Sequence, residues 1–148
     1  MKMFPKLLAF ALLLSVTSCY QEDDVIDDLF VSQGKVAQIS VVWAGPTRGT
    51  TTVTVDAGTQ VPVTIEYISE VDVKEIKLYQ QVGTATPTLL TTLPATAAQY
   101  DAKLRNYVVK ANVTAPSAKS AMVRILAEVL TTNDLPSARL GVTVRTRA

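Results

Sequence analysis

The chain has 148 residues, is 48% hydrophobic and carries a formal charge of +1, with no histidine and one cysteine. The absence of histidine removes the commonest general base, the Ser-His-Asp arrangement and the commonest metal ligand. A lone cysteine forbids an intrachain disulfide, and so mild a charge lacks the dense basic face of a nucleic-acid binder.

Lys2 and Lys6 precede an apolar run that starts at Leu7. At about ten residues it has the length of a signal-peptide core, whereas a membrane-spanning helix needs about 20. Ser15-Val16-Thr17-Ser18 then leads to Cys19, and Glu22, Asp23, Asp24, Asp27 and Asp28 follow. The acidic cluster lacks the loop glycine and terminal glutamate of an EF-hand, so a solvated tether is expected, with no metal and no cofactor implied.

Val16-Thr17-Ser18-Cys19 resembles a bacterial lipobox, with valine where leucine is more usual. The resemblance implies cleavage before Cys19 and acylation of its thiol, and two acyl chains anchor a protein stably to a membrane. Glu22-Asp23-Asp24 is similar to the signal that exports Bacteroidota lipoproteins to the cell surface. That implies the outer membrane, exposed to the outside, with the periplasmic face as the alternative. The chain therefore divides into a signal peptide (1–18), a lipidated tether (19–35) and one domain (36–148).

Residues 29–148 carry 12 basic and 8 acidic groups, net +4, too mild for nucleic acid. Threonine occurs 19 times and valine is abundant, which favours pleated, half-buried strands. Ile39, Val41 and Trp43 alternate, placing Trp43 inward. Val53 and Val55 follow a Gly-Pro turn, and then come Val61, Val63, Ile65 and Tyr67. Ile76 and Leu78 begin a further strand, with Tyr79 out of phase and thus the most exposed ring. A long loop with one short edge strand near 89–93 comes next. Tyr100, Ala102 and Leu104 alternate, as do Tyr107, Val109, Ala111 and Val113, so Tyr107 is expected in the core. Residues 118–130 fit a helical stripe, with Arg124 and Glu128 at i,i+4, but also alternate as a strand. The Asn133-Asp134 turn and the alternation of Leu140, Val142 and Val144 favour a hairpin.

Seven or eight antiparallel strands with turns every 8–12 residues or so predict an all-β sandwich. Residues 60–148, through Val63-Thr64-Ile65-Glu66-Tyr67, Glu75-Ile76-Lys77-Leu78-Tyr79 and Leu140-Gly141-Val142-Thr143-Val144, resemble the immunoglobulin-like (fibronectin-III-like) domains of bacterial surface proteins. The Cys…Trp…Cys core of antibody domains is absent. The resemblance implies a non-catalytic module for binding or adhesion, with a glycan or protein partner. The alternatives are an assembly subunit of an outer-membrane complex and, last, a hydrolase using carboxylates such as Glu70 and Asp72. Trp43 and Tyr79 are candidate sugar-stacking rings. Arg139, Arg145 and Arg147 share one face, either as a stripe for an anionic partner or as charges guarding an edge strand.

Overall fold

The computed structural model describes residues 34–148; the expected signal peptide and lipobox (Val16, Thr17, Ser18), Cys19 and Glu22-Asp23-Asp24 lie outside the described residues. Among the described residues are nine strands: β1 (Gln38–Ala44), β2 (Thr52–Val55), β3 (Gln60–Ile68), β4 (Val73–Gln81), β5 (Thr88–Pro94), β6 (Gln99–Asp101), β7 (Asn106–Thr114), β8 (Met122–Thr131) and β9 (Leu140–Thr146). They form two sheets, ordered β1-β3-β7-β6 and β2-β9-β8-β4-β5. The all-β sandwich stands. The count exceeds the expected seven or eight, and β2 runs parallel to β9, so the pairing is not wholly antiparallel.

The alternating residues meet between the sheets. Val61, Val63 and Ile65 of β3, Val109 and Val113 of β7, Ile76 and Leu78 of β4, and Val123, Ile125, Ala127 and Val129 of β8 share one core with Val142 and Val144 of β9. Full burial of a side chain of this kind contributes about 1.5–3 kcal/mol, so this layer supplies most of the drive to fold. The ambiguous 118–130 segment is strand β8: its pairing with β4 and β9 places the 2-residue period, not the helical stripe, against the core.

Two local departures from the alternation matter. A bulge between Ile39 and Val41 reverses the phase of β1, so Val42 and Ala44 enter the core and Trp43 turns to the outer face. After β6, the Asp101 carboxylate accepts the backbone N–H groups of Lys103 and Leu104, and Arg105 takes φ +53°. This side-chain turn outcompetes the extension that Ala102 and Leu104 suggest, and Leu104 is exposed.

Candidate functional site

The outer face of each sheet carries a glutamate on a central strand, flanked by apolar neighbours in sequence. On the first sheet it is Glu66 of β3, 1% exposed. Arg48, from the loop between β1 and β2, clamps it with both prongs: Nε donates to Oε1 at 2.9 Å and the terminal nitrogen to Oε2 at 2.7 Å. Asn106 Nδ2 adds a bond to Oε2 at 2.8 Å. The Arg48 guanidinium lies 5.9 Å from the Trp43 ring centroid, which explains the burial of an outward-facing tryptophan. Hydrogen bonds from Arg48 hold the Glu66 carboxyl below its ordinary value, against the opposite pull of burial.

On the second sheet the residue is Glu128 of β8. Tyr79 donates its hydroxyl to Oε1 at 2.8 Å and Arg139 donates Nε to Oε2 at 2.7 Å. The Arg139 guanidinium sits 4.1 Å from the centre of the Tyr79 ring. Burial first, then the bond to Glu128, raises the Tyr79 phenol. The expectation of an open Tyr79 ring is thus corrected: β4 and β8 bring it beside Glu128, and Arg139 covers its face.

The expected arginine stripe is also broken up. Arg139 precedes β9 and serves Glu128, while Arg147 pairs with Asp56 at 3.2 Å. Arg145 points outward from β9. Nor is β9 an edge strand, because β2 and β8 flank it, so the edge-guard reading fails too. Trp43 and Tyr79, the two expected sugar platforms, belong to separate sheets and separate ion-pair networks.

The exposed aromatic rings lie elsewhere. Tyr67, Tyr107 and Tyr100 are directly opposed across β3, β7 and β6. Tyr67 stacks on Tyr107 with centroids 5.3 Å apart, and Tyr107 meets Tyr100 edge-on at 5.2 Å. Exposure rises along the row from 2% at Tyr67 through 36% at Tyr107 to 58% at Tyr100. Burial pushes the Tyr67 phenol up to about 12. A cavity of about 240 Å³ opens at this end of the sandwich, lined by Tyr67, Tyr107, Val71, Val73 and Ala95 among others. Tyr67 is core, as expected. Tyr107 is not, because it sits at the open end beside that cavity.

Sequence reasoning missed this ladder because tyrosine alternation reads the same whether the row ends in the core or at the rim. It missed the two networks because each arginine arrives from a loop. A usable signal exists: Ile65-Glu66-Tyr67 and Ala127-Glu128-Val129 each set one carboxylate inside an apolar strand, which demands a cationic cap. Among the described residues, no group of three or more acidic, cysteine or histidine side chains is placed to hold a metal, and no helix is long and apolar enough to cross a membrane.

These features define a two-sheet sandwich with a partly exposed aromatic ladder at one end and a neutralised glutamate on each outer face. No family model matches the chain, and no curated protein matches it by sequence. Among solved structures it is similar to a Niemann-Pick type C2 protein from the Japanese carpenter ant, at 12% identity and a TM-score of 0.51, covering 76% of this chain and 93% of that one. That likeness is one of fold. A family 76 glycoside hydrolase from a bovine Bacteroides thetaiotaomicron strain (10% identity, TM-score 0.45, 74% of this chain and 20% of that one) is more distant. So is a sporulation control protein from Bacillus subtilis (9%, TM-score 0.42, 74% and 51%).

Proposed function

We propose that this chain is a non-catalytic binding module of immunoglobulin-like type, carried at the outer membrane by acylated Cys19 and turned to the cell surface by Glu22-Asp23-Asp24. Its ligand is a glycan whose ring stacks on the tyrosine ladder. The observation that carries this reading is the Tyr67–Tyr107–Tyr100 row: its inner ring is fixed in the core, and its outer ring is 58% exposed. Aromatic faces bind the apolar face of a sugar with little loss of side-chain freedom. The non-catalytic reading draws support from Glu66 and Glu128, whose carboxylates are each engaged by an arginine instead of standing as a free acid–base pair.

A glycan array probed with the full chain tests the ligand class. Tyr100→Ala should abolish the signal from neutral glycans while leaving the thermal transition unchanged; a neutral-glycan signal that survives Tyr100→Ala overturns the ladder as the site. Fractionation of cells making Cys19→Ala tests the anchor, since retention in the membrane would mean another attachment.

A second reading, an assembly subunit that pairs by its sheet edge, draws on β5. This edge strand is uncharged from Thr88 to Pro94 and exposes Leu89 and Leu90. Such an edge invites strand addition by another protein. Leu90→Lys should then release a native envelope complex that Tyr100→Ala leaves intact.

A further inference from the structure

Between residues 34 and 148, six cationic side chains hold carboxylates: Lys35, Arg48, Lys74, Lys77, Arg139 and Arg147. Arg124 and Arg145 are among those with no ion-pair partner among the described residues, and the strand register brings these two together. In one cross-strand row, Thr52 of β2 opposes Thr143 of β9, which opposes Arg124 of β8, which opposes Gln81 of β4. In the next outward row, Thr54 opposes Arg145, which opposes Met122. Val53, Val144 and Val123 lie between the two rows and point inward. Arg124 and Arg145 are therefore diagonal neighbours on one outer face, at a Cα separation of about 7–8 Å. Two like charges so placed repel each other unless an anion lies between them.

No carboxylate belongs to either row, and Thr52, Thr54 and Thr143 set hydroxyls beside the guanidinium pair. We infer that this corner of the second sheet is a binding site for an acidic glycan. The two arginines would take successive carboxylate or sulfate groups, and the threonine hydroxyls and Gln81 would take ring hydroxyls. Guanidinium groups bind such oxyanions in a forked geometry, which favours arginine over lysine here. The site suits a polymer with one charge per sugar. A nucleic acid, with one charge per ~1.7 Å of duplex, needs a longer basic track than two side chains provide. The rows lie on three or more paired strands, so the donors are held by the sheet and not by loops. The site is separate from the tyrosine ladder and stands without it.

The test is a titration of the full chain with polygalacturonate, with neutral dextran and a single-stranded oligonucleotide as comparison polymers. Arg124→Gln/Arg145→Gln is compared with Lys103→Gln/Lys110→Gln, which removes the same charge from the β6–β7 turn and from β7. Polygalacturonate should bind and weaken with added salt. Affinity should fall about tenfold in the arginine variant, the loss expected for two charge-assisted contacts, and stay within about twofold in the lysine variant. Dextran carries no charge for the arginines to take, so its binding should be the same in the parent and the arginine variant, and a loss of dextran binding in that variant would also overturn the assignment. Equal losses in both variants, unchanged binding in the arginine variant, no binding of polygalacturonate, or equal affinity for the oligonucleotide would each overturn the assignment. Matching thermal transitions of the two variants exclude unfolding as the cause.

Discussion

Gly141 of β9 lies directly opposite Leu126 of β8. Its backbone is not left-handed, so the glycine is required by space and not by φ. A Cβ at this position would collide with the carbonyl oxygen of Ile125, and would lie 2.7 Å from Leu126 Cδ2 and 3.1 Å from the Ile125 carbonyl carbon. The leucine methyl can swing away, but the carbonyl belongs to the central strand of the sheet and cannot move without disturbing it. Overpacking of this kind costs about 1–3 kcal/mol. Alanine recovers ~0.4–1 kcal/mol by restricting the unfolded chain. Gly141→Ala should therefore lose about 1–2 kcal/mol, or roughly 5–10 °C in Tm for a domain of this size. Urea denaturation followed by fluorescence of Trp43, the one tryptophan, measures it, with an unchanged m-value marking loss of native stability alone. Adding Leu126→Ala should not restore the midpoint, because it removes the methyl and leaves the carbonyl. A Gly141→Ala variant as stable as the parent would refute the close approach, and full rescue by Leu126→Ala would show that the side chain alone set the cost.

Gly34 takes φ +73°, and a Cβ there would also crowd Asn133 Nδ2 at 2.6 Å and Leu135 Cδ1 at 2.7 Å. Gly34→Ala should cost about 1–2 kcal/mol, and Asn133→Ala in the same chain should recover only that side chain's share of the crowding, leaving the Leu135 contact and the backbone cost in the melting curve. Glu66 titrates below its ordinary value because of Arg48, so its contribution is present in full above the unfolded carboxyl pKa of ~4.3 and disappears as pH falls through the lower folded value. The gap between the urea midpoints of the parent and Glu66→Gln should accordingly be full at pH 6 and narrow progressively as pH falls below the unfolded carboxyl value; a gap that stays constant through acid would contradict the linkage. Tyr79→Phe removes one hydrogen bond to Glu128 and should lower stability by about 0.5–1.5 kcal/mol in the same assay, without altering the far-ultraviolet spectrum.

The sandwich was legible in the sequence because its core obeys the two-residue period through β3, β7, β8 and β9, and because turn residues fall between those runs. β5 was legible as well: the short edge strand expected near 89–93 is the outer strand of its sheet. The phase of β1 was not, since one extra residue at a bulge inverts every later side chain while the letters still alternate. Sequence spacing placed Arg139, Arg145 and Arg147 on one face, but only Arg145 lies within β9 on the face considered. Arg139 sits in a turn, and Arg147 follows the strand and pairs with Asp56. Which groups stay unpaired is a long-range property. Arg124 and Arg145 are 21 positions apart and become neighbours only through the β8–β9 register.

The two outer faces solve the same physical problem in the same way. A carboxylate inside an apolar strand must be neutralised, and each sheet does so with one loop arginine that also covers an aromatic ring from the adjoining strand. Trp43 and Tyr79 are consumed by that arrangement, so the two rings that the sequence first suggests for sugar recognition are the ones least available for it. In the proposed reading, recognition falls to groups that the fold leaves open to solvent, namely the Tyr100 ring at the open end of the first sheet and the Arg124–Arg145 pair on the second. The two proposed sites differ in what salt should do to them. Ring stacking on Tyr100 is insensitive to ionic strength, whereas capture by the arginine pair weakens as salt screens it. Binding of an acidic glycan that is halved by moderate salt and abolished only when Tyr100→Ala is combined with the arginine variant would mean that one polymer engages both faces. Independent loss of neutral and acidic ligands would mean two separate specificities on one domain.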